Sequence, residues 1–242
     1  MSVIKDALSP LEFQEEYLNR HPIESIRAMV RYLDRWILYC ETLGGWQAIE
    51  KDKNDDFIFY NFGLNPRDLP LYKDLAVKAL KAAGGKYRPI TREKRVTAFN
   101  SKIPDISDII VSRRISFHQD DFHFSEKYRA YHILENQIEV EEFDRRTKSK
   151  KKPAEPLKKW VFPLTPEEFL EKLKGIEIGT WYPWYCYQDL PTTKSVVWEV
   201  EFHYKSKYRT LKQGGCCLYP NSFKDFCDLL ELNEFFAELL KK

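Results

Sequence analysis

The sequence predicts an α+β protein in two parts: a mainly helical region over residues 1–100, then an antiparallel sheet covered by helices over residues 101–242. Three observations carry this expectation. Apolar residues of the first hundred positions recur at three- and four-residue spacing, the period of a helix face. The second half turns to short β-branched and aromatic runs broken by polar turns, the mark of strands. Two capping signatures, Ser9-Pro10-Leu11-Glu12 and Thr165-Pro166-Glu167-Glu168, announce helix starts in both halves.

The helix opened by Ser9 stops before Pro22. A longer one follows, with Ile23, Ile26, Val30, Leu33, Ile37, Cys40 and Leu43 as its apolar stripe and Gly44-Gly45 as a left-handed stop. Arg27, Arg31 and Arg35 share another face, where they meet anionic groups or, more plainly, pair with Glu24 and Asp34. After the acidic turn at Asp52–Asp56, Phe57–Phe62 reads as an extended aromatic segment. Asp68–Ala83 forms a third helix, with Pro70 near its start and Gly84-Gly85 at its end. Lys86–Pro104, carrying Lys86, Arg88, Arg92, Lys94 and Arg95, reads as a basic connector, with the boundary near residue 100.

Beyond it, Asp108–His118, Lys127–Leu134, Gln137–Phe143 and Lys158–Leu164 read as antiparallel hairpin strands. The helix capped by Thr165 runs to Gly175. Val196–Tyr204 alternates Val196, Trp198, Val200, Phe202 and Tyr204 on one face, and Lys207–Leu211 returns beside it. Ser222–Leu230 and Leu232–Leu240 close the chain as helices.

The runs Thr165-Pro166-Glu167-Glu168-Phe169-Leu170, Ile178-Gly179-Thr180-Trp181, Trp198-Glu199-Val200-Glu201-Phe202-His203-Tyr204 and Gly215-Cys216-Cys217-Leu218-Tyr219-Pro220-Asn221-Ser222-Phe223 together resemble a widespread, uncharacterised bacterial α+β domain. Its pattern is a T-x-E-E-F helix, a tryptophan, a W-x-L-x-I-x-Y strand and a G-x-N-x-Y-P-x-x-F turn into the last helix. The resemblance covers residues 108–235 and departs at Cys217, where that domain has Asn, and in the Lys-rich stretch after Asp144. It implies the fold and carries no activity.

Composition narrows the function classes. With 16 Phe, 14 Tyr and 6 Trp among 242 residues, the chain has the apolar payload to offset ordering entropy, which excludes whole-chain disorder. Lys and Arg number 39 against 37 Asp and Glu, a balance unlike that of a dedicated nucleic-acid binder. The lack of any apolar run of about 18 residues and the polar start at Met1–Asp6 lead us to expect neither a membrane span nor a signal peptide, and a cytoplasmic location. Five cysteines, none in a C-x-x-C pair, read as buried small hydrophobes rather than a disulfide framework or zinc site. The common hydrolase, nucleotide and dinucleotide motifs do not occur, and no cofactor is expected.

Three segments stand out as candidate sites. The aromatic cluster Trp181, Tyr182, Trp184, Tyr185 and Tyr187 offers large contact area as a partner-binding loop, or serves as a lid on the core. Arg145, Arg146, Lys148, Lys150, Lys151 and Lys152, joined by Arg92 and Arg95, could contact phosphates, or simply keep an edge strand soluble. His118, Asp120, Asp121 and His123, with His132 or His203 as further donors, have the ligand types for a divalent metal and a nuclease or hydrolase, although a polar hairpin loop has the same composition. The leading expectation is a non-enzymatic interaction protein that binds another protein or a nucleoprotein complex. A mobile-element inhibitor or a defence accessory fits such a chain.

Overall fold

A computed structural model describes residues 8–44, 64, 68–117, 125–144, 155–186 and 194–240. The chain divides into two compact units: Met1–Glu41 with Trp46–Thr91, and Thr42–Gly45 with Arg92–Lys242. The extended aromatic segment expected at Phe57–Phe62 lies outside the described residues.

In the first unit Ser9 and Glu12 form a capping box: the Ser9 hydroxyl accepts the Glu12 N–H at 3.3 Å, and the Glu12 carboxylate accepts the Ser9 N–H at 2.7 Å. The short helix α1, Pro10–Glu12, continues as a π-helical stretch over Phe13–Leu18. Helices α2, Ile23–Thr42, and α3, Leu69–Ala82, follow. Phe13, Ile26, Met29, Val30, Leu33, Tyr72, Ala76 and Leu80 make their shared core. At the end of α3, Gly84 has the expected left-handed backbone, φ 80°. Asp34 accepts from Lys73 Nζ at 2.7 Å and from the Tyr87 hydroxyl at 2.9 Å, so it is not spent on its arginine neighbours as expected. The other expected stop differs. Leu43–Gly44 form a strand, β1, paired with Tyr219–Pro220, and the Thr42 carbonyl accepts the Asn221 N–H at 2.7 Å. A distant strand satisfies the helix terminus, so no local turn is required there.

The second unit begins where a connector was expected. Arg92–Asn100 is a helix, α4, followed by a 3₁₀ turn at Ile103–Asp105. Its single buried anchor is Phe99, edge-on to Phe202 at 5.4 Å between ring centroids. Val96, Ala98 and Phe99 crowd the end of a basic run and make no periodic stripe, so the sequence carries no helical signal there.

The strands are β2 Ile106–Phe117, β3 Ser125–Ile133, β4 Ile138–Asp144, β5 Lys158–Val161, β6 Trp184–Cys186, β7 Lys194–Tyr204, β8 Leu211–Cys216 and β9 Tyr219–Pro220. Seven of them form an open sheet in the order β5-β4-β3-β2-β7-β8-β6, antiparallel throughout except for the β6–β8 pair. The predicted α+β architecture, N-terminal helices followed by a mainly antiparallel sheet with helices, is the one observed. In one cross-strand row Val140, Tyr131, Ile109 and Phe202 lie opposite one another, all buried. Helices α5, Pro166–Lys174, and α6, Phe223–Leu229, bury Phe169, Leu173, Phe223 and Phe226. Each such phenylalanine contributes about 2–3 kcal/mol of transfer free energy. Thr165 caps α5 through a full box with Glu168.

Two boundaries moved. The return strand is Leu211–Cys216, not Lys207–Leu211, because its Gly214-Gly215 hides strand character that residues 205–210 lack in fact. The last helix, α7, spans only Ala237–Leu240: Glu231 turns left-handed, φ 53°, and the Leu232 N–H closes onto the Cys227 carbonyl at 2.8 Å.

Candidate functional site

Because strand side chains alternate, the face of the sheet opposite these helices is set by the same register. Asp108 lies opposite His132 on one side and His203 on the other, and His132 in turn lies opposite Glu139. The His132 Nδ1 is 2.6 Å from Asp108 Oδ1, and the Ser107 hydroxyl donates to Asp108 Oδ2 at 2.7 Å. The other imidazole nitrogen of His132, Nε2, faces Glu141 at 3.6 Å, and His203 Nε2 is 3.1 Å from Glu201. Lys159 bridges Glu139 at 2.9 Å and Glu141 at 3.3 Å, while Lys212 reaches Glu201 at 2.5 Å. Hydrogen bonding from Lys159 holds the Glu139 carboxyl below the usual range, and the same bond raises the Lys159 ammonium.

This band is a closed ionic lattice. Each imidazole is oriented by one carboxylate, as in a catalytic dyad, yet the second nitrogen of His132 meets another carboxylate rather than a hydroxyl or thiol nucleophile. Among the described residues no group of three or more His, Cys, Asp or Glu is placed to hold a metal. His118, Asp120, Asp121 and His123 lie outside the described residues.

The aromatic segment divides by strand alternation. Trp181 is buried, its Nε1 donating to the Ser222 hydroxyl at 2.8 Å and its ring edge-on to Trp198 and Phe226. Tyr185 is fully buried; its hydroxyl lies 2.8 Å from Thr42 Oγ1 and accepts the Tyr182 N–H at 2.9 Å. Burial pushes the Tyr185 phenol up to about 12. Tyr182 is half-buried, and Trp184 is 40% exposed. The segment, expected as an irregular binding loop or a lid on the core, is part buried and part exposed, and its irregular character is corrected. Trp184–Cys186 is a parallel edge strand whose pairing with β8 turns Tyr185 into the core and Trp184 out. The Trp184 indole lies on Gly214, where a Cβ would sit 2.5 Å from Trp184 Cζ3. Tyr187 lies outside the described residues.

No protein-family model, curated protein or solved structure matches the chain. Function must be argued from these side chains.

Arg145, Arg146, Lys148, Lys150, Lys151 and Lys152 also lie outside the described residues. Phe117, Ser125, Asp144, Lys158, Cys186 and Lys194, the strand ends nearest to the three candidate segments, fall at one end of the sheet. Arg92 donates through Nε to Glu177 at 3.1 Å, while Arg95 is half-buried on the same helix. The Cys40 and Cys227 thiols are both raised by burial, Cys40 to about 11.

Sequence reasoning missed the Asp108, His132 and His203 row, because joining three strands across one row needs the register. It also took Lys207-Tyr208-Arg209 for the start of the return strand, although two cations around an aromatic residue were visible there.

Proposed function

We propose that this chain is a non-enzymatic interaction protein of the cytoplasm that docks an extended segment of a partner protein along the Trp184–Cys186 edge. The single observation behind this is the contrast between the two edges of the sheet. Edge strand β5 carries Lys158 and Lys159, the charges with which proteins guard an exposed edge against pairing. Edge strand β6 has no charged residue from Trp181 to Cys186 and presents the exposed Trp184 indole. An extended peptide would add its main chain to that edge and lay an apolar side chain against the indole. With three residues on the receiving strand, the contact is small and suits a transient partner rather than an obligate dimer.

Among the described residues no helix is long and apolar enough to cross a membrane. The resemblance of residues 108–235 to the bacterial α+β domain belongs to the same proposal, as does a mobile-element inhibitor or defence accessory as its setting. Trp198 and Phe223, which carry that resemblance, are buried and serve the core.

The test is selection of extended peptides from a displayed library against the full chain, followed by calorimetry of the selected peptides. Trp184→Ala should weaken their binding about tenfold or more, the scale of an aromatic hot spot. Peptides that bind the Trp184→Ala variant as well as the parent would remove this edge as the docking site.

A further inference from the structure

At the end of the sheet where β7 turns into β8, the chain gathers cations and an aromatic ring around an open depression. It is lined by Ser101, Pro104, Asp105, Ser206, Lys207 and Tyr208 and measures about 620 Å³. Lys205, Ser206, Lys207, Tyr208 and Arg209 are all exposed, and Tyr208 keeps 50% of its surface in solvent. Lys102, from the segment before β2, places Nζ 5.3 Å from the Tyr208 ring centroid. Tyr204 stands edge-on to the same ring at 5.7 Å and supports it from the sheet.

The geometry points to a binding site for single-stranded nucleic acid on the Lys205–Arg209 turn and Lys102. Four features converge on that chemistry. First, the turn is held in shape by Asp105, whose carbonyl accepts the Lys205 N–H at 2.8 Å and whose carboxylate accepts the Ser206 N–H at 3.1 Å. Asp105 is thereby engaged by backbone donors, and among the described residues Lys102, Lys205, Lys207 and Arg209 form no ion pair. Three exposed cations and the half-buried Lys102, with one local carboxylate, form an electrostatic footprint for a polyanion. Second, Lys207, Tyr208 and Arg209 put a ring between two cations, the arrangement in which a base stacks while flanking phosphates are neutralised. Third, Ser101 and Ser206 line the depression: the Ser101 hydroxyl donates to the Ala98 carbonyl at 3.1 Å and keeps acceptor capacity, while the Ser206 hydroxyl accepts the Tyr208 N–H at 3.4 Å and keeps its proton to donate to a sugar or base edge. Fourth, the outer face of the sheet bears five carboxylates, Asp108, Glu139, Glu141, Glu199 and Glu201, against Lys159 and Lys212 in the same lattice, and this excess of acid disfavours phosphate there relative to the Lys205–Arg209 end.

An acidic peptide or an anionic membrane would use the cations and leave the ring unused. The site also differs in sequence from the basic segment Arg145–Lys152, which lies outside the described residues, and it does not rest on the docking edge proposed above.

The experiment is fluorescence anisotropy of the full chain with a labelled single-stranded oligonucleotide of about 12 nucleotides, within the range one small domain covers, across a salt series. Tyr208→Ala should weaken binding about tenfold, while Tyr208→Phe, which keeps the stacking face, should bind like the parent. Replacing Lys207 and Arg209 by Ala should lower the salt slope by about 0.7 for each cation removed. All three positions are exposed, so the melting temperature should not move, and it is measured alongside. Three outcomes would overturn the proposal: no binding by the parent at low salt; parent-like affinity in Tyr208→Ala with an unchanged slope in the double variant; or a preference for anionic vesicles or acidic peptides to which Tyr208→Ala is indifferent.

Discussion

Arg129 donates from Nε to Glu142 at 2.6 Å across two paired strands, in register, on the helix-covered side of the sheet. Their side chains retain only 15% and 11% of their exposure. Arg129 also donates from Nη1 to the Glu231 carbonyl at 2.8 Å and lies between the rings of Trp160 and Phe235, at 5.4 and 5.2 Å. Removing one partner of such a pair strands the other charge. Glu142→Gln should cost about 3 kcal/mol, read as a lower urea midpoint with an unchanged slope. Replacing both residues with Met and Leu should cost less than that single change, because no charge is then left buried. A single variant as stable as the parent would show that the pair is solvated.

Tyr185 gives the chain an alkaline limit. Its phenol stands at about 12 in the folded protein because burial disfavours the phenolate, against about 10 in an unfolded chain. The folded state holds this proton while the unfolded state releases it. The associated stability is therefore fully present below about pH 10 and is lost as pH rises through the folded value. Within that window the loss approaches about 1.4 kcal/mol per pH unit. Tyr185→Phe should flatten the decline in urea stability between pH 9.5 and 11 relative to the parent. An equal decline in both would mean that other groups set it.

Cys217 occupies a left-handed backbone position, φ 59°, immediately after β8. A left-handed conformation costs an ordinary L-residue about 1–2 kcal/mol, and Asn and Gly bear it more easily. Cys217→Asn should therefore stabilise the protein by about 0.5–1 kcal/mol, net of the weak bond in which the thiol accepts the Val196 N–H at 3.4 Å. A lower melting temperature in Cys217→Asn would show that the thiol contact outweighs the backbone.

The same position illustrates how the sequence could be read. Where a signal is local, it transferred: both capping boxes formed, and the alternation from Val196 to Phe202 faces the core. At Cys217 the left-handed backbone after β8 is what favours a residue such as Asn. Where a contact is remote, the sequence misled. Gly44 suggested a helix stop, but it pairs with Tyr219 in a strand far along the chain. Trp181, Trp184 and Tyr185 looked alike as an aromatic run, and only pairing with Gly214-Gly215 separates the exposed indole from the buried rings. The Asp108 row was hidden for the same reason, since its members come from positions 108, 132 and 203.

Gly214 and Trp184 should therefore behave as a coupled pair. A Cβ at position 214 would meet Trp184 Cζ3 at 2.5 Å and the Trp198 carbonyl oxygen at 2.8 Å. Gly214→Ala must displace the indole and strain the neighbouring strand, at a cost of about 1–3 kcal/mol typical of overpacking. Trp184→Ala removes an exposed ring and should cost less. In the double variant the methyl group no longer meets the indole, so only the clash with the Trp198 carbonyl remains. The double should then be more stable than the two single losses predict, by an interaction energy of at least about 0.5 kcal/mol. A thermodynamic cycle by urea unfolding measures it. Strict additivity would mean that the indole does not rest on the glycine.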